Sequence, residues 1–274
     1  REIMQDKRFR QAMSLAINRD EINETLYYGQ GVPRQTTVIP SSKYYEERFG
    51  NAYIEYDPER AGQLLDEIGL IDQNGDGLRD LPNGEPLNIT LEWVPMETPK
   101  GPTMELVIDH WKGVGINVEL KQVNVPLQHE RTNANLMDMT LWHGDKLSDL
   151  MFPQTVSWFV PVSETWFETC MWRKWVQYYA TDGEKGWEPP QEIKELQQIW
   201  EEAISTPDEE RRIELGKKLL EANAENLWTV GTVGLAPFPI IVSNELKNVP
   251  EDGYWGWDNR WSFGYHPETW YLEQ

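Results

Sequence analysis

The chain has 274 residues, a net charge of −21 and one cysteine. That length buries one large core or two small ones, while the acidic balance excludes nucleic acid as a default partner, since a negative surface repels phosphate backbones. Cys170 alone excludes an internal disulfide, and no apolar run reaches the length of a membrane-spanning helix. Acidity for solubility alone explains the charge as well as any partner does.

In chain order, Phe9, Ala12, Met13, Ala16 and Ile17 recur at helical spacing and predict a helix with one apolar stripe. Asn18 with Glu21 three residues on has the form of a capping box opening a second helix. Asp57 reads as an N-cap, with Pro58 at the first helical position and Gly69 past the end; Ala61, Leu64, Leu65 and Ile68 form the buried stripe. Leu87, Ile89, Leu91 and Trp93 alternate with Asn88, Thr90 and Glu92, a strand with one dry face. Met104, Val107, Ile108 and Trp111 then return to helical spacing, and Ile116, Val118 and Leu120 alternate again. Strand, helix, strand at this spacing predicts a βαβ unit with parallel strands. Met137, Met139 and Leu141 suggest another short strand, ending at Trp142-His143-Gly144-Asp145. After an irregular stretch, Ile193, Leu196, Trp200, Ala203 and Ile204 mark a helix entered from Glu188-Pro189-Pro190. Thr206 as cap, Pro207 at the first position and Glu209 closing a capping box predict the next, with Ile213, Leu219 and Leu220 on its apolar side. Pro237 to Val242 reads as an extended run, followed by loops rich in Trp and Gly. The fold class is α/β.

Tryptophan is the main chemical signal. Six of the fourteen (Trp142, Trp158, Trp166, Trp172, Trp175, Trp187) fall between residues 142 and 187, and five more (Trp228, Trp255, Trp257, Trp261, Trp270) lie near the C-terminus. An indole face suits stacking on the C–H face of a pyranose ring. Any one of these residues reads more simply as packing. As a group placed after a strand end, where crevices form in such sheets, they read as ligand contacts. The candidate ligand-binding set is therefore Trp142, His143, Asp145, Trp158, Trp166, Trp172 and Trp175. Asp72, Asn74, Asp76 and Asp80, with Gly77 at the sixth position, resemble a calcium loop, but position 12 is Asn83 where the motif needs a bidentate Glu. An ion-free turn competes with calcium here. No other cofactor is indicated. His110, His129, His143 and His266 show no metal-type pairing, and no phosphate-cradling glycine loop or Gly-x-Ser-x-Gly elbow occurs. A carboxylate pair set by distance in space is invisible at this level, so a secreted carbohydrate-active enzyme is the alternative reading.

The string from Asp6 to Ile22 resembles the D-x-R-F-R-Q-A-x-S-x-A-I-N-R-x-x-I segment of the extracellular solute-binding proteins of family 5, the binding components of peptide- and nickel-type ABC importers. Gly29-Gln30-Gly31-Val32-Pro33, the helix from Tyr56 to Gly69, the turns at Asp76–Asp80 and Asn83–Leu87, and the corner from Trp111 to Val118 are similar to further segments of that family. The likeness spans residues 1 to about 145 and roughly 190 to 274. It implies a periplasmic-binding-protein-like lobe, the second of a two-lobed protein, over residues 1–229. Residues 230–274 would be a C-terminal return segment belonging to a first lobe outside this chain. It also implies a monomer working at the periplasmic or cell-surface side, with any lipid anchor on the preceding part, an oligopeptide or oligosaccharide ligand, and ABC permease subunits as partners. Peptide-binding members hold the ligand ammonium with a carboxylate, a role open here to Asp145, Asp149 or Glu164.

Overall fold

The computed structural model describes residues 2–95, 98–144, 147–163, 173–253 and 265–273. Two short helices, α1 (Glu2–Gln5) and α2 (Lys7–Leu15), open the chain, α2 starting where the Asp6 carboxylate accepts the Arg8 amide at 2.9 Å. Its stripe from Phe9 to Ile17 is buried throughout, as the spacing predicts. In α3 (Arg19–Tyr27) Asn18 caps the Glu21 amide, but Glu21 does not return to the Asn18 backbone. The Asn18 amide donates instead to His110 Nδ1 at 3.3 Å, and the Glu21 carboxylate lies 3.0 Å from His110 Nε2, so an imidazole from a distant helix replaces half of the capping box.

A two-residue strand β1 (Val32–Pro33) and the single turn α4 (Glu47–Gly50) lead to α5 (Pro58–Glu67). Asp57 caps α5 through the Arg60 amide, and Gly69 takes φ +80 as the Leu70 amide closes back on Leu65, the C-terminal turn that glycine permits. The βαβ unit follows as β2 (Asn88–Trp93), α6 (Lys100–Gly113) and β3 (Asn117–Gln122). β2 and β3 are parallel with Ile89 opposite Val118 and Leu91 opposite Leu120. After α7 (Val125–Asn133), β4 (Met139–Thr140) joins the free side of β2, also parallel, giving the order β3-β2-β4. Helix α7 has no apolar stripe and escapes periodicity, although Asn124 as cap and Pro126 in the first turn mark it locally.

Helices α8 (Arg173–Ala180), α9 (Gln191–Ser205) and α10 (Glu209–Asn226) complete the helical part. Thr206 does not cap α10. It ends α9, and Asp208 takes the cap through the Glu210 and Arg211 amides, because a carboxylate two residues nearer the helix meets both donors. Leu215, Leu219 and Leu220 carry the buried side of α10, and Ile204 of α9 is exposed. Beyond α10, β5 (Val233–Gly234) pairs antiparallel with β1, and β6 (Leu246–Lys247) with β7 (Tyr271–Leu272). The run from Pro237 to Val242 forms no ladder, and Ile241 is 97% exposed.

Apolar burial gathers into two cores. One lies between α2, α3, α5, α6 and one face of the three-stranded sheet, around Leu65, Ile89, Val107 and Trp111. The other joins residues 38–49 and 147–160 to α8, α9 and α10, with Phe152 set edge-on between Tyr44 and Phe159. The second face of β2 departs from the sequence expectation. Glu92, on the side predicted to be wet, is wholly buried, because α7 covers it and supplies Arg131 as partner. Between the cores runs a polar seam. Arg19, 2% exposed, donates to Ser14 O at 2.9 Å, Ser14 Oγ at 2.7 Å, Ile54 O at 3.2 Å and Gly231 O at 3.0 Å. Gln35 bridges Ser14 Oγ, Ala52 O and the Gly231 amide, while Arg10 and Gln11 hold the carbonyls of Asn226 and Glu225. Burial lowers the pKa of Arg10 and Arg19 to about 10, so both stay charged at neutral pH.

Candidate functional site

Three parallel strands place three carboxyl ends on one edge, where the chain leaves the sheet and backbone groups are open to a ligand. At the β2 end stand Val94 and Pro95; at the β3 end, Gln122, Val123, Asn124, Val125 and Leu127 line an open depression with them. At the β4 end stand Trp142 and His143. The two rings are 4.8 Å apart and inclined at 35°. The ammonium of Lys100, from the first turn of α6, lies 4.5 Å from the Trp142 ring centre, a cation–π contact made by a residue only 3% exposed. The edge thus offers apolar rims, side-chain amides and an aromatic–cation pair, contacts suited to holding a solute.

Of the sequence-predicted ligand residues, Trp142 and His143 reach this edge. Trp158 and Trp175 pack in or against the second core, and the Trp158 carbonyl is tied to Thr229 Oγ1 at 2.9 Å. Asp145, Trp166 and Trp172 lie outside the described residues, as does Glu164. The Asp149 carboxylate accepts from Ser42 Oγ and from the Lys43 amide, fixing a turn. Lys100 and the rim of α7 carry no sequence signal beyond the Asn124 cap, since only the fold brings them beside Trp142.

At the opposite end of the sheet, the Asp72 loop uses its oxygens on its own backbone. Asp72 accepts from Gly75 at 2.7 Å and Gly77 at 2.9 Å, Asn74 from Asp76, Asp76 from Leu78, and Asp80 from Gln73 at 3.0 Å. The Gly77 amide leads in holding the Asp72 carboxyl below its ordinary value. Among the described residues no group of three His, Cys, Asp or Glu side chains is placed to hold a metal ion. A calcium chelator is expected to leave the melting temperature unchanged, and a fall would restore Asp72, Asn74, Asp76 and Asp80 as ligands. By sign, a depressed carboxyl pKa stabilises the fold above the ordinary aspartate range and loses that contribution as pH falls through it, so Asp72→Asn should flatten the acid side of the stability curve.

Residues 1–158 match the family described as Bacterial extracellular solute-binding proteins, family 5 Middle. The chain belongs to that family. It is a family of solute-binding proteins and not one of enzymes. Among curated relatives, the periplasmic alpha-galactoside-binding protein of Rhizobium meliloti (strain 1021) is 23% identical over 256 residues, covering 91% of this chain and 35% of its own length. The oligopeptide-binding protein AppA of Bacillus subtilis (strain 168) is 29% identical over 132 residues, 48% of this chain and 24% of its own. Among solved structures, an oligopeptide-binding protein OppA superimposes over the whole chain with a TM-score of 0.82 and 34% identity, the match spanning 44% of that protein. The stachyose complex of the binding protein MelB from Agrobacterium fabrum C58 shares the fold at a TM-score of 0.70 and 22% identity, over 85% of this chain and 34% of its own. The chain therefore spans less than half the length of these relatives. Among the described residues no helix is long and apolar enough to cross a membrane.

Proposed function

We propose that residues 1–229 form the second lobe of an extracytoplasmic solute-binding protein, and that its cargo, an oligopeptide or an oligosaccharide, is handed to ABC permease subunits for import. The observation that carries this reading is the family match over residues 1–158 together with a crevice on the carboxyl edge of the matched sheet. Val94, Asn124, Val125, Leu127, Trp142 and His143 would meet the solute, with Lys100 holding the indole in place. Trp166, Trp172 and Asp145 belong to the same proposal through their positions in the chain. Residues 230–274 would return to a first lobe, which would cover the exposed Ile240 and Ile241. The second lobe alone would present half a site, with closure of two lobes completing it. The protein would act as a monomer at the periplasmic or cell-surface side.

A melting-temperature screen of the whole two-lobed protein against stachyose, mannohexaose and short peptides tests this. A ligand at a hundred times its Kd stabilises by about 2.7 kcal/mol, a rise of several degrees. A shift with sugars alone fixes a carbohydrate cargo, and a shift with peptides alone fixes a peptide cargo. No shift with either class, or turnover of a chromogenic glycoside, overturns the reading.

A further inference from the structure

Helix α7 is attached to the sheet in an unusual way. Its buried residues are Gln128 and Thr132, both polar, while Leu127 faces outward at the crevice rim and is 39% exposed. What holds the helix is directional. Arg131 Nε donates to both Glu92 oxygens at 2.7 and 2.8 Å, and its Nη2 lies 2.6 Å from Oε1. Glu92 is wholly buried, one residue before the end of β2, and Lys121 Nζ of β3 lies 3.9 Å from the same Oε1. Gln128 donates to Thr140 Oγ1, which donates to the Glu92 carbonyl, so one layer ties α7 to all three strands. An apolar interface of the same area would stabilise at least as well, because a buried ion pair returns little beyond its desolvation cost. A charged fork, however, accepts one position of the helix and rejects neighbouring ones.

We propose that Arg131 is a positioning residue for the crevice: through Glu92 it sets where α7 holds Asn124, Val125 and Leu127 along the rim, and with that how tightly solute is retained. This rests on the reading of the carboxyl edge as the solute site. The helix is then the adjustable wall of the crevice, and the fork is its setting.

The test uses the whole two-lobed protein with Arg131→Met, Arg131→Lys, Glu92→Gln and the rim variant Leu127→Ala. Without ligand, hydrogen exchange at the amides of 128–133 should rise at least tenfold in Arg131→Met and less in Arg131→Lys, with β2 and β3 protection unchanged. With stachyose and a nonapeptide as probes, the dissociation rate measured well below the melting temperature should rise about tenfold or more in Arg131→Met and partly recover in Arg131→Lys. A pair that serves stability alone lowers the melting temperature and leaves the dissociation rates unchanged. Unchanged exchange in α7 overturns the proposal, and so does loosened exchange with a wild-type dissociation rate in Arg131→Met where Leu127→Ala releases the probes faster. If Leu127→Ala and Arg131→Met both release the probes as the wild type does while α7 loosens, the crevice reading fails instead. Failure of the wild type to take up either probe removes the retention half of the proposal, and the exchange result then decides the rest.

Discussion

Arg19→Met is expected to destabilise the protein by roughly 3–5 kcal/mol, the largest effect of any single polar substitution here. The guanidinium donates to three carbonyls and one hydroxyl from three separate parts of the chain: Ser14 at the end of α2, the loop at Ile54 and the exit segment at Gly231. A methionine fills a similar volume but takes this donor from the Ile54 and Gly231 carbonyls, while Ser14 Oγ keeps Gln35 and Ser14 O keeps the Ile17 amide. Arg19→Lys should lose less, since an ammonium keeps the charge and some of the bonds but not the planar fork. Thermal unfolding at neutral pH reads the difference, of order 10 °C for the methionine variant. A loss below about 1 kcal/mol would mean that water replaces the guanidinium without strain.

Gly231→Ala should cost at least about 2–3 kcal/mol for a single added methyl group. Its Cβ would stand 2.4 Å from the Arg34 carbonyl oxygen and 2.6 Å from the Thr36 nitrogen, and both are backbone atoms that no rotamer change can move aside. The exit segment would have to lift away, taking with it the Gly231 amide bond to Gln35 and the Arg19 bond to the Gly231 carbonyl. Exchange of the Arg34 amide, which donates to Thr232 O at 3.1 Å, reports that lift directly. Gly113→Ala is the matched control: nothing lies within 4 Å of its Cβ, and a helix gains slightly from alanine. Equal stability of the two variants would refute the packing argument.

Much of the fold is legible in the residues because apolar periodicity and end signals agree. The stripe from Phe9 to Ile17, the Asp57 and Gly69 ends of α5, and the βαβ unit from Asn88 to Gln122 all lie where their patterns place them. What the patterns miss has one physical origin. Periodicity assigns charge to the outside, so Glu92 reads as the wet face of β2, and it gives no sign that Arg10 and Arg19 are buried. Their burial depends on partners 39, 216 and 212 residues away. Helix α7 is hidden for the same reason: a helix held by polar contacts has no stripe to find. Thr206 misleads because a better cap stands two residues on. At the candidate site, Trp142 and His143 are foreseeable from a strand end, whereas Lys100 is not, since no local pattern says which indole an ammonium will cover.

The seam around Arg19 also orders events in time. Gly231 is made 212 residues after Arg19, which at roughly 5–20 residues per second is about 10–40 s of synthesis. Once Val118 has been made the first core can assemble, yet until Gly231 follows it holds a cation whose last acceptor does not exist. The nascent lobe is therefore open at one known place, between the end of α2, Gln35 and the Ile54 loop, and it closes only when the Gly231 stretch arrives to cover it. An arrested chain ending before Gly231 should be cut by protease at that opening, while one extended past Gly234 should resist.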